Sequence, residues 1–167
     1  MRAVTNSSVL ISLASIGQLS LLSYRFPDGI FVASAVWKEV VKTGLGQPGA
    51  DEVASASWID RYDVRDRDFV SLLCAELDEG EAETIALARQ ENIPVVLLDE
   101  KDARQVARRL NLQVLGTVGL LIWGKRAGHI SSLRHSLDIL RTQGGFRLSQ
   151  SLYEEALKAV GESTSPE

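Results

Sequence analysis

The chain has little of the residues that define several common protein classes. Its 167 residues include one cysteine, Cys74, and two histidines, His129 and His135. A single cysteine excludes a disulfide framework and a cysteine-based metal centre, and it fits a reducing compartment. The two histidines are not spaced as a metal-binding pair. We therefore expect a cytoplasmic protein without disulfide bonds.

Long apolar runs and aromatic residues are also scarce. No apolar stretch approaches the roughly 18 residues of a membrane-spanning helix, and the first residues lack the layout of a signal peptide. Aromatic residues make up 6% of the chain, which is few for a base-stacking platform, so we assign Trp37, Trp58 and Trp123 to the core or an interface. No membrane contact is expected.

The remaining composition is that of an ordinary globular domain. Hydrophobic residues account for 45% of the chain and charged residues for 24%, and there is no internal repeat. This length and composition predict one domain over residues 1–160. The polar residues 161–167 are expected to form a disordered tail.

Charge is distributed unevenly along the chain. Residues 101–147 contain nine Lys and Arg residues and two acids, a net charge of +7, so the rest of the chain carries −11. This pattern is compatible with solvated helix faces. It is equally compatible with a basic surface beside an acidic pocket, which an enzyme that binds a polyanion through metal ions requires.

The prediction of the fold starts from residues 95–104. Residues 95–98 are apolar and partly β-branched, which indicates a strand buried on both faces, and Asp99 ends it. Residues 101–110 then have helical periodicity, with Arg104, Arg108 and Arg109 on the other face. Ligands of open α/β sheets collect at the carboxyl ends of strands. Asp99 is therefore the first candidate site residue.

The other elements alternate in the same way. Strands are predicted at residues 2–5, 30–32, 112–115 and, as an edge strand, 58–64. Helices are predicted between them, including residues 9–22 capped by Ser7 or Ser8 and interrupted at Gly17, residues 35–42 capped by Ser34, and a helix that opens at residues 78–81. Strands separated by helices predict a mostly parallel sheet with right-handed crossovers.

Four polar residues are candidates for one site at an end of this sheet. Asn6 and Asp99 each follow a strand, Glu39 lies on the helix after the second strand, and Glu81 lies near a helix start. Oxygen ligands of this kind suit Mg²⁺ or Mn²⁺, which would support phosphodiester hydrolysis. Asp102 and Glu83 are reserve ligands.

Each of these residues also has a structural interpretation. Asp99 is suitable as a helix N-cap, Glu81 as a capping residue or dipole partner, and Asn6 as a turn residue. Glu39 is compatible with a solvated helix face. The residues alone leave these alternatives open, because carboxylates are common and their spacing here is not a tight motif.

Several segments together resemble the PIN-domain (VapC-like) family. They are VTNSSVLI at residues 4–11, VWKEV at 36–40, GEAE at 80–83, LLDEKDAR at 97–104, VLGTVG at 114–119 and GFRLSQSLY at 145–153. The match is best with an uncharacterised PIN-like branch and extends from about residue 3 to residue 160. The order and spacing of the segments carry the resemblance, since no single one is diagnostic.

The resemblance implies a three-layer α/β/α sandwich with a central, mostly parallel sheet. It also implies a cluster of acids that binds Mg²⁺ or Mn²⁺ and a ribonuclease activity, often that of a toxin in a toxin–antitoxin pair. Such toxins are commonly homodimers that a small antitoxin-like protein inhibits. RNA and that protein are the partners expected here.

The resemblance also implies roles for individual residues. By position, Glu39, Glu81 and Asp99 match the family's acids, Asp102 is an additional metal ligand, and Asn6 stands where the first Asp usually lies. An amide oxygen binds a metal without contributing charge, so this departure weakens the expected site. The hydroxyl groups of Ser7 and Ser8 are suited to holding a metal-bound water. Thr117 lies in one of the matched segments and is a further candidate site residue.

Three functional interpretations follow. The first is a metal-dependent ribonuclease whose RNA backbone contacts come from Arg104, Arg108, Arg109, Lys125 and Arg126. The second is a PIN-like module that binds RNA or protein without cleavage. The third is a receiver-like domain phosphorylated on Asp99, which is weaker because that fold needs a further acid after its first strand.

Overall fold

The computed structural model describes residues 1–165, so Pro166 and Glu167 of the expected tail lie outside the described residues. This part of the chain forms five strands, ten α-helices and one π-helix. The strands are β1 Ala3–Thr5, β2 Ile30–Ala33, β3 Ile59–Tyr62, β4 Val95–Leu97 and β5 Gln113–Leu115. The α-helices are α1 Ser7–Ser15, α2 Leu21–Arg25, α3 Ser34–Trp37, α4 Ala50–Ser55, α5 Arg67–Leu73, α6 Glu79–Gln90, α7 Lys101–Arg109, α8 Thr117–Arg126, α9 Leu133–Thr142 and α10 Gln150–Ala159. The π-helix, Lys38–Thr43, continues directly from α3.

The five strands form one parallel sheet in the order β3-β2-β1-β4-β5. The central strands β1 and β4 are buried along their whole length, which explains their continuous apolar sequences. Their register pairs Thr5 with Leu97. The residues that follow these two strands therefore leave the sheet side by side.

Each face of the sheet is covered by helices around its own apolar core. The larger core includes Leu10, Leu121 and Leu137, from α1, α8 and α9. The smaller core, on the other face, includes Ile85 and Val106, from α6 and α7. The structure is the three-layer α/β/α sandwich that the resemblance implied, and β3 is the edge strand predicted from its alternating pattern.

Two expectations about helix starts were wrong. Asn6 occupies the N-cap position of α1, and Ser7 is already helical. Ser34 is likewise the first residue of α3, which Ala33 precedes as N-cap. One residue separates β1 from α1 and none separates β2 from α3, so each helix begins at the serine itself.

The helix predicted at residues 35–42 changes type along its length. After one turn of α3 it continues as the π-helix, where Gly44 N donates to Glu39 O at 2.9 Å. Periodicity predicts a helical segment but does not distinguish a five-residue hydrogen-bond spacing from a four-residue one. Short π-helical segments are frequent at functional sites.

The helices between residues 1 and 165 are all too short or too polar to cross a membrane.

Candidate active site

The candidate site lies where the chain order of the sheet reverses, between β1 and β4. Open α/β sheets leave a crevice at such a point, beyond the carboxyl ends of the strands. Asn6 follows β1, and its backbone N–H donates to Leu97 O of β4 at 3.1 Å. Asp99 follows β4 after one further buried residue, Leu98. Parallel pairing therefore brings the two predicted strand-end residues to the same crevice.

Asn6 is buried with an unsatisfied acceptor. Its side chain is 4% exposed, and its Oδ1 has no hydrogen-bond partner among the described residues. Leaving a buried acceptor unpaired costs about 1–3 kcal/mol, which makes such atoms rare. The atom therefore marks a place where a ligand would supply the missing contact.

Two further oxygens border the same space beside Gly80. A Cβ atom added to Gly80 would lie 3.3 Å from Asn6 Oδ1, 3.5 Å from Glu39 Oε2 and 3.6 Å from Asp78 Oδ1. All three oxygens thus lie close to the position that a side chain at residue 80 would occupy, which we call the Gly80 recess. The structure thus brings Asn6 and Glu39 together, as predicted, and adds Asp78.

The chemistry of this donor set fits Mg²⁺ or Mn²⁺. One amide and two carboxylate oxygens are hard ligands, and Mg²⁺ typically keeps several waters beside one or two carboxylates. No group of three His, Cys, Asp or Glu residues within residues 1–165 is placed to hold a metal ion. A carboxylate pair completed by the Asn6 amide is therefore the donor set that this site offers.

Glu39 connects two cavities of the crevice. It is exposed on the π-helix and lines a 700 Å³ cavity together with Asp78 and Gly80. It also lines a 540 Å³ cavity together with Ser8 and Asp99. A phosphodiester lying across Glu39 would therefore be within reach of both parts of the site.

The predicted serines lie at the second of these cavities. Ser7 and Ser8 both line the 540 Å³ cavity, in the first turn of α1. The Oγ of Ser8 is buried and has no partner among the described residues. The predicted role of this hydroxyl in holding a metal-bound water stays a prediction.

Both oxygens of the Asp99 carboxylate accept hydrogen bonds from one residue, Thr117. Thr117 donates from its backbone N to Asp99 Oδ1 at 2.8 Å and from its hydroxyl to Asp99 Oδ2 at 2.7 Å. Burial raises the pKa of the Asp99 carboxyl, although the two bonds from Thr117 and the nearby charge of Arg104 act in the opposite direction. Because both oxygens are engaged, the geometry disfavours Asp99 as a phospho-acceptor.

Arg104 is part of the scaffold of Asp99. Its Nη1 donates to Leu98 O at 3.0 Å. A Cβ added to Gly116 would lie 2.6 Å from that Nη1 and 2.9 Å from Asp99 Oδ1, so a larger residue there would displace one of these groups. Arg104 was predicted to contact RNA. The structure shows that one of its guanidinium nitrogens donates a hydrogen bond to the protein backbone.

Glu81 has a structural role in the described fold. It closes a capping box at the start of α6: its N–H donates to Asp78 Oδ1 at 2.8 Å, and its Oε2 accepts from Asp78 N at 3.1 Å. Burial raises the pKa of its carboxyl, and the negative charges of Asp78, Glu100 and Asp102 add to the effect. A metal-binding role for Glu81 stays a prediction, since its Oε2 is engaged in the capping box with Asp78 N.

The two reserve acids differ in position: Glu83 lines the 700 Å³ cavity with Glu39 and Asp78, whereas Asp102 does not. Glu83 is buried, accepts from Ala35 N at 3.2 Å and pairs with Arg67 at 3.2 Å. Its charge is therefore neutralised within the protein. Asp102 is exposed in the first turn of α7 and lines a different, 260 Å³ cavity.

The predicted RNA-binding residues are divided between separate surfaces. Arg104 and Arg108 line a 440 Å³ groove that also contains Asp99 and Lys101. Three others are engaged elsewhere: Arg109 with Glu76 at 3.7 Å, Lys125 with Ser131 O at 2.6 Å, and Arg126 with Ala159 O at 2.9 Å. The structure does not bring these three to the groove.

Two residues that line the site cavities were not identified as site residues from the sequence. Asp78 signalled only the start of a helix, and Arg147 lay in a matched segment without an assigned role. In the structure Arg147 lines the 540 Å³ cavity with Glu39 and Asp99. Its position after two glycines, Gly144 and Gly145, was the one available sign of an irregular segment that reaches back to the site.

Comparison with known proteins is consistent with this geometry. No curated protein and no solved structure is detectably similar to the chain. The family model DUF3368, which is described as a PIN domain, matches residues 2–162. PIN domains have a nuclease-type fold and are generally metal-dependent nucleases. The chain belongs to the PIN-domain family.

Proposed function

We propose that this protein is a Mg²⁺- or Mn²⁺-dependent endoribonuclease. The observation that carries the proposal is the buried, unpartnered Oδ1 of Asn6, which borders the Gly80 recess together with a Glu39 oxygen. Asp99 faces a cavity that Glu39 also lines. Oxygen ligands gathered at the switch point of a PIN-domain sheet are suited to metal-assisted hydrolysis of a phosphodiester.

Each residue of the site has a distinct task in this proposal. Asn6 and Glu39 would hold the divalent ion, which would supply Lewis acidity to the reaction. Asp99, oriented by Thr117, serves as a carboxylate at the other side of the cavity. Glu81 keeps the start of α6 in place and is retained as a candidate ligand.

Cationic residues beside these carboxylates would bind the RNA backbone. Lys101 and Arg108 are exposed in the groove next to Asp99, and Arg147 is exposed at the cavity that contains Glu39. The path past the carboxylates is thus flanked by positive charge on both sides. This arrangement supports a polyanionic substrate that crosses the acidic site while its neighbouring phosphates are neutralised.

The proposal extends to the biological setting of the protein. The resemblance supports a cytoplasmic toxin that acts as a homodimer and that a small antitoxin-like protein inhibits. Exposed leucines, such as Leu45 and Leu72 at 75% and 70% exposure, are available for contacts with another chain. Size measurement of the purified protein with and without such a partner would test this setting.

The alternative is a PIN-like module that binds RNA or protein without cleaving it. Asn6 favours this alternative, because its amide contributes no charge where the family usually has a carboxylate. In that case we expect RNA affinity that does not depend on a divalent ion.

The deciding experiment is cleavage of a labelled single-stranded RNA by the wild type and by Asp99→Asn. We expect cleavage with Mn²⁺ or Mg²⁺, none with chelator, and none in the variant, whose fold circular dichroism would monitor. Asn has nearly the shape of Asp and can still accept the bond from Thr117 N. Metal-independent RNA binding without cleavage by the folded wild type would support the alternative and reject the nuclease.

A further inference from the structure

Asp78 caps a helix and also lies beside the candidate metal site. It is the N-cap of α6, and its Oδ1 accepts from Glu81 N at 2.8 Å. The side chain is exposed and lines the 700 Å³ cavity that Glu39 also lines. Its Oδ2 makes no hydrogen bond within residues 1–165, so half of the carboxylate is available to a ligand.

The same carboxylate borders the Gly80 recess. Asp78 Oδ1 lies 3.6 Å from the point where a Gly80 Cβ would be, and Asn6 Oδ1 and Glu39 Oε2 lie 3.3 Å and 3.5 Å from the same point. A cluster of acids is by itself weak evidence for a site. Here it is accompanied by the 96% burial and the missing hydrogen bond of the Asn6 amide, which independently indicate an absent ligand.

Asp78 matters because of the number of negative charges at the recess. Asn6 and Glu39 together supply one negative charge to the recess, which is little for a divalent ion. A second carboxylate at the same recess brings the total to two, the number of carboxylates with which Mg²⁺ is commonly held. We infer that Asp78 is a ligand of the divalent ion held by Asn6 and Glu39, and that it supplies the charge that Asn6 lacks.

This inference rests on the proposed function, because it assumes that the site binds a divalent ion. It makes Asp78 a bifunctional residue, since one carboxylate starts α6 and also faces the metal. Ion binding at the recess would then be coupled to the order of the first turn of α6, where Glu81 completes the capping box.

The capping and metal-binding roles can be separated by substitution. Asp78→Asn keeps an N-cap of about equal strength, because Asn and Asp are both preferred at that position, but it removes the charge. Glu79→Gln is the matched control. Glu79 lines the same 700 Å³ cavity, its substitution removes the same charge, and its carboxylate is paired with Arg67 at 3.8 Å.

The measurement is Mn²⁺ affinity of the full-length, metal-free protein by isothermal titration calorimetry. We expect Asp78→Asn to weaken Mn²⁺ binding about tenfold or more, as loss of a direct or indirect metal contact typically does, and Glu79→Gln to change it less than about threefold. The melting temperatures of both variants should stay near that of the wild type.

A charge-transfer variant provides the stronger arm of the test. In Asp78→Asn/Asn6→Asp the carboxylate is moved to the position that the family usually uses, so Mn²⁺ affinity should recover most of the loss. Recovery would support the inference even if Asp78→Asn alone were less stable.

The outcomes separate the two claims. Wild-type Mn²⁺ affinity in folded Asp78→Asn would overturn the role of Asp78 and leave the nuclease proposal standing. An equal loss in Glu79→Gln would also overturn it, because general electrostatics would then explain the effect. Failure of the wild type to bind Mn²⁺ or Mg²⁺ at all would overturn the metal-dependent proposal itself, and the inference with it.

Discussion

Thr117 binds both oxygens of the Asp99 carboxylate, with its backbone N–H on Oδ1 and its hydroxyl on Oδ2, at 2.8 and 2.7 Å. The two residues are 18 positions apart, one after β4 and the other at the first position of α8. The turn that follows β5 therefore sets the orientation of an acid on the neighbouring strand. Without this contact, burial would favour the protonated form of Asp99 even more strongly.

Thr117→Val is predicted to impair cleavage through Asp99. The substitution keeps the backbone bond and the side-chain shape but removes the hydroxyl donor, which lowers the pKa of Asp99 in the wild type. The pKa of Asp99 should rise further, so the acid limb of the pH–rate profile should move to higher pH. We expect cleavage near neutral pH to fall about tenfold or more.

The control for this prediction is Thr117→Ser, which retains the hydroxyl and should keep most of the activity. Pre-steady-state cleavage across pH 5 to 8 would compare the three proteins. An acid limb in Thr117→Val that coincides with that of the wild type would contradict the positioning role.

Gly80→Ala is predicted to separate stability from metal binding. Alanine is favoured over glycine in helices by up to about 1 kcal/mol, and Gly80 lies in the first turn of α6. The added Cβ would, however, fill the recess, at 3.3 Å from Asn6 Oδ1. Because the helix propensity of alanine offsets this tight contact, we expect a melting temperature close to that of the wild type and a weaker affinity for Mn²⁺.

Differential scanning fluorimetry and calorimetric titration on the same sample would check this prediction. Gly161→Ala is not a suitable control, because Gly161 has a positive φ of 74°. Gly119→Ala is also unsuitable, since its Cβ would meet Leu115 at 2.7 Å. The wild type with and without chelator is the appropriate reference. Unchanged Mn²⁺ affinity in Gly80→Ala would show that the recess is not the binding place.

The division of the cationic residues predicts different effects of two adjacent arginines. Arg108 lines the groove beside Asp99, whereas Arg109 pairs with Glu76 on another surface. Arg108→Gln should weaken RNA binding and reduce the salt dependence of the affinity by about one unit of slope, as expected for one lost phosphate contact. Arg109→Gln should leave both quantities close to their original values.

Fluorescence anisotropy in the Asp99→Asn background would measure this without cleavage of the probe. The titrations would be repeated at several salt concentrations. Equal effects of the two substitutions would indicate that RNA reaches both surfaces, which would restore the broader set of contacts predicted from the sequence.

Tyr153 is predicted to limit stability at alkaline pH. Burial raises the pKa of its hydroxyl above 10.0, and the bond that it donates to Asp138 at 2.8 Å adds to the effect. Because ionisation is easier in the unfolded chain, the free energy of unfolding should fall as the pH rises above about 10. Arg134 and Arg141, which lie against the ring, partly oppose this loss.

Tyr153→Phe should remove that alkaline loss and cost about 1–2 kcal/mol at neutral pH, where the bond to Asp138 is intact. Urea unfolding at pH 7 and pH 10.5 would determine both values. The prediction fails if the pH dependence of the variant matches that of the wild type. Cleavage activity at pH 7 should not change, since α10 carries Tyr153 on the larger core, away from the recess.

Much of the fold was predictable because its signals are local. The apolar run before Asp99 fixed β4, alternation identified β3 as an edge strand, and strands separated by helices indicated a parallel sheet. Parallel pairing then required Asn6 and Asp99 to leave the sheet together. These features depend on periodicity and burial, which neighbouring residues in the chain specify.

What the sequence alone determined is the fold, the crevice and the residues at its strand ends, Asn6 and Asp99. Only the tertiary structure decided that Asp78 borders the recess, that Glu81 caps a helix, and that three of the five predicted RNA-binding residues lie elsewhere. The physical reason is that a side chain's neighbours depend on how distant elements pack. Charge patterns along the chain record which residues are charged, but they do not record which surface those residues share.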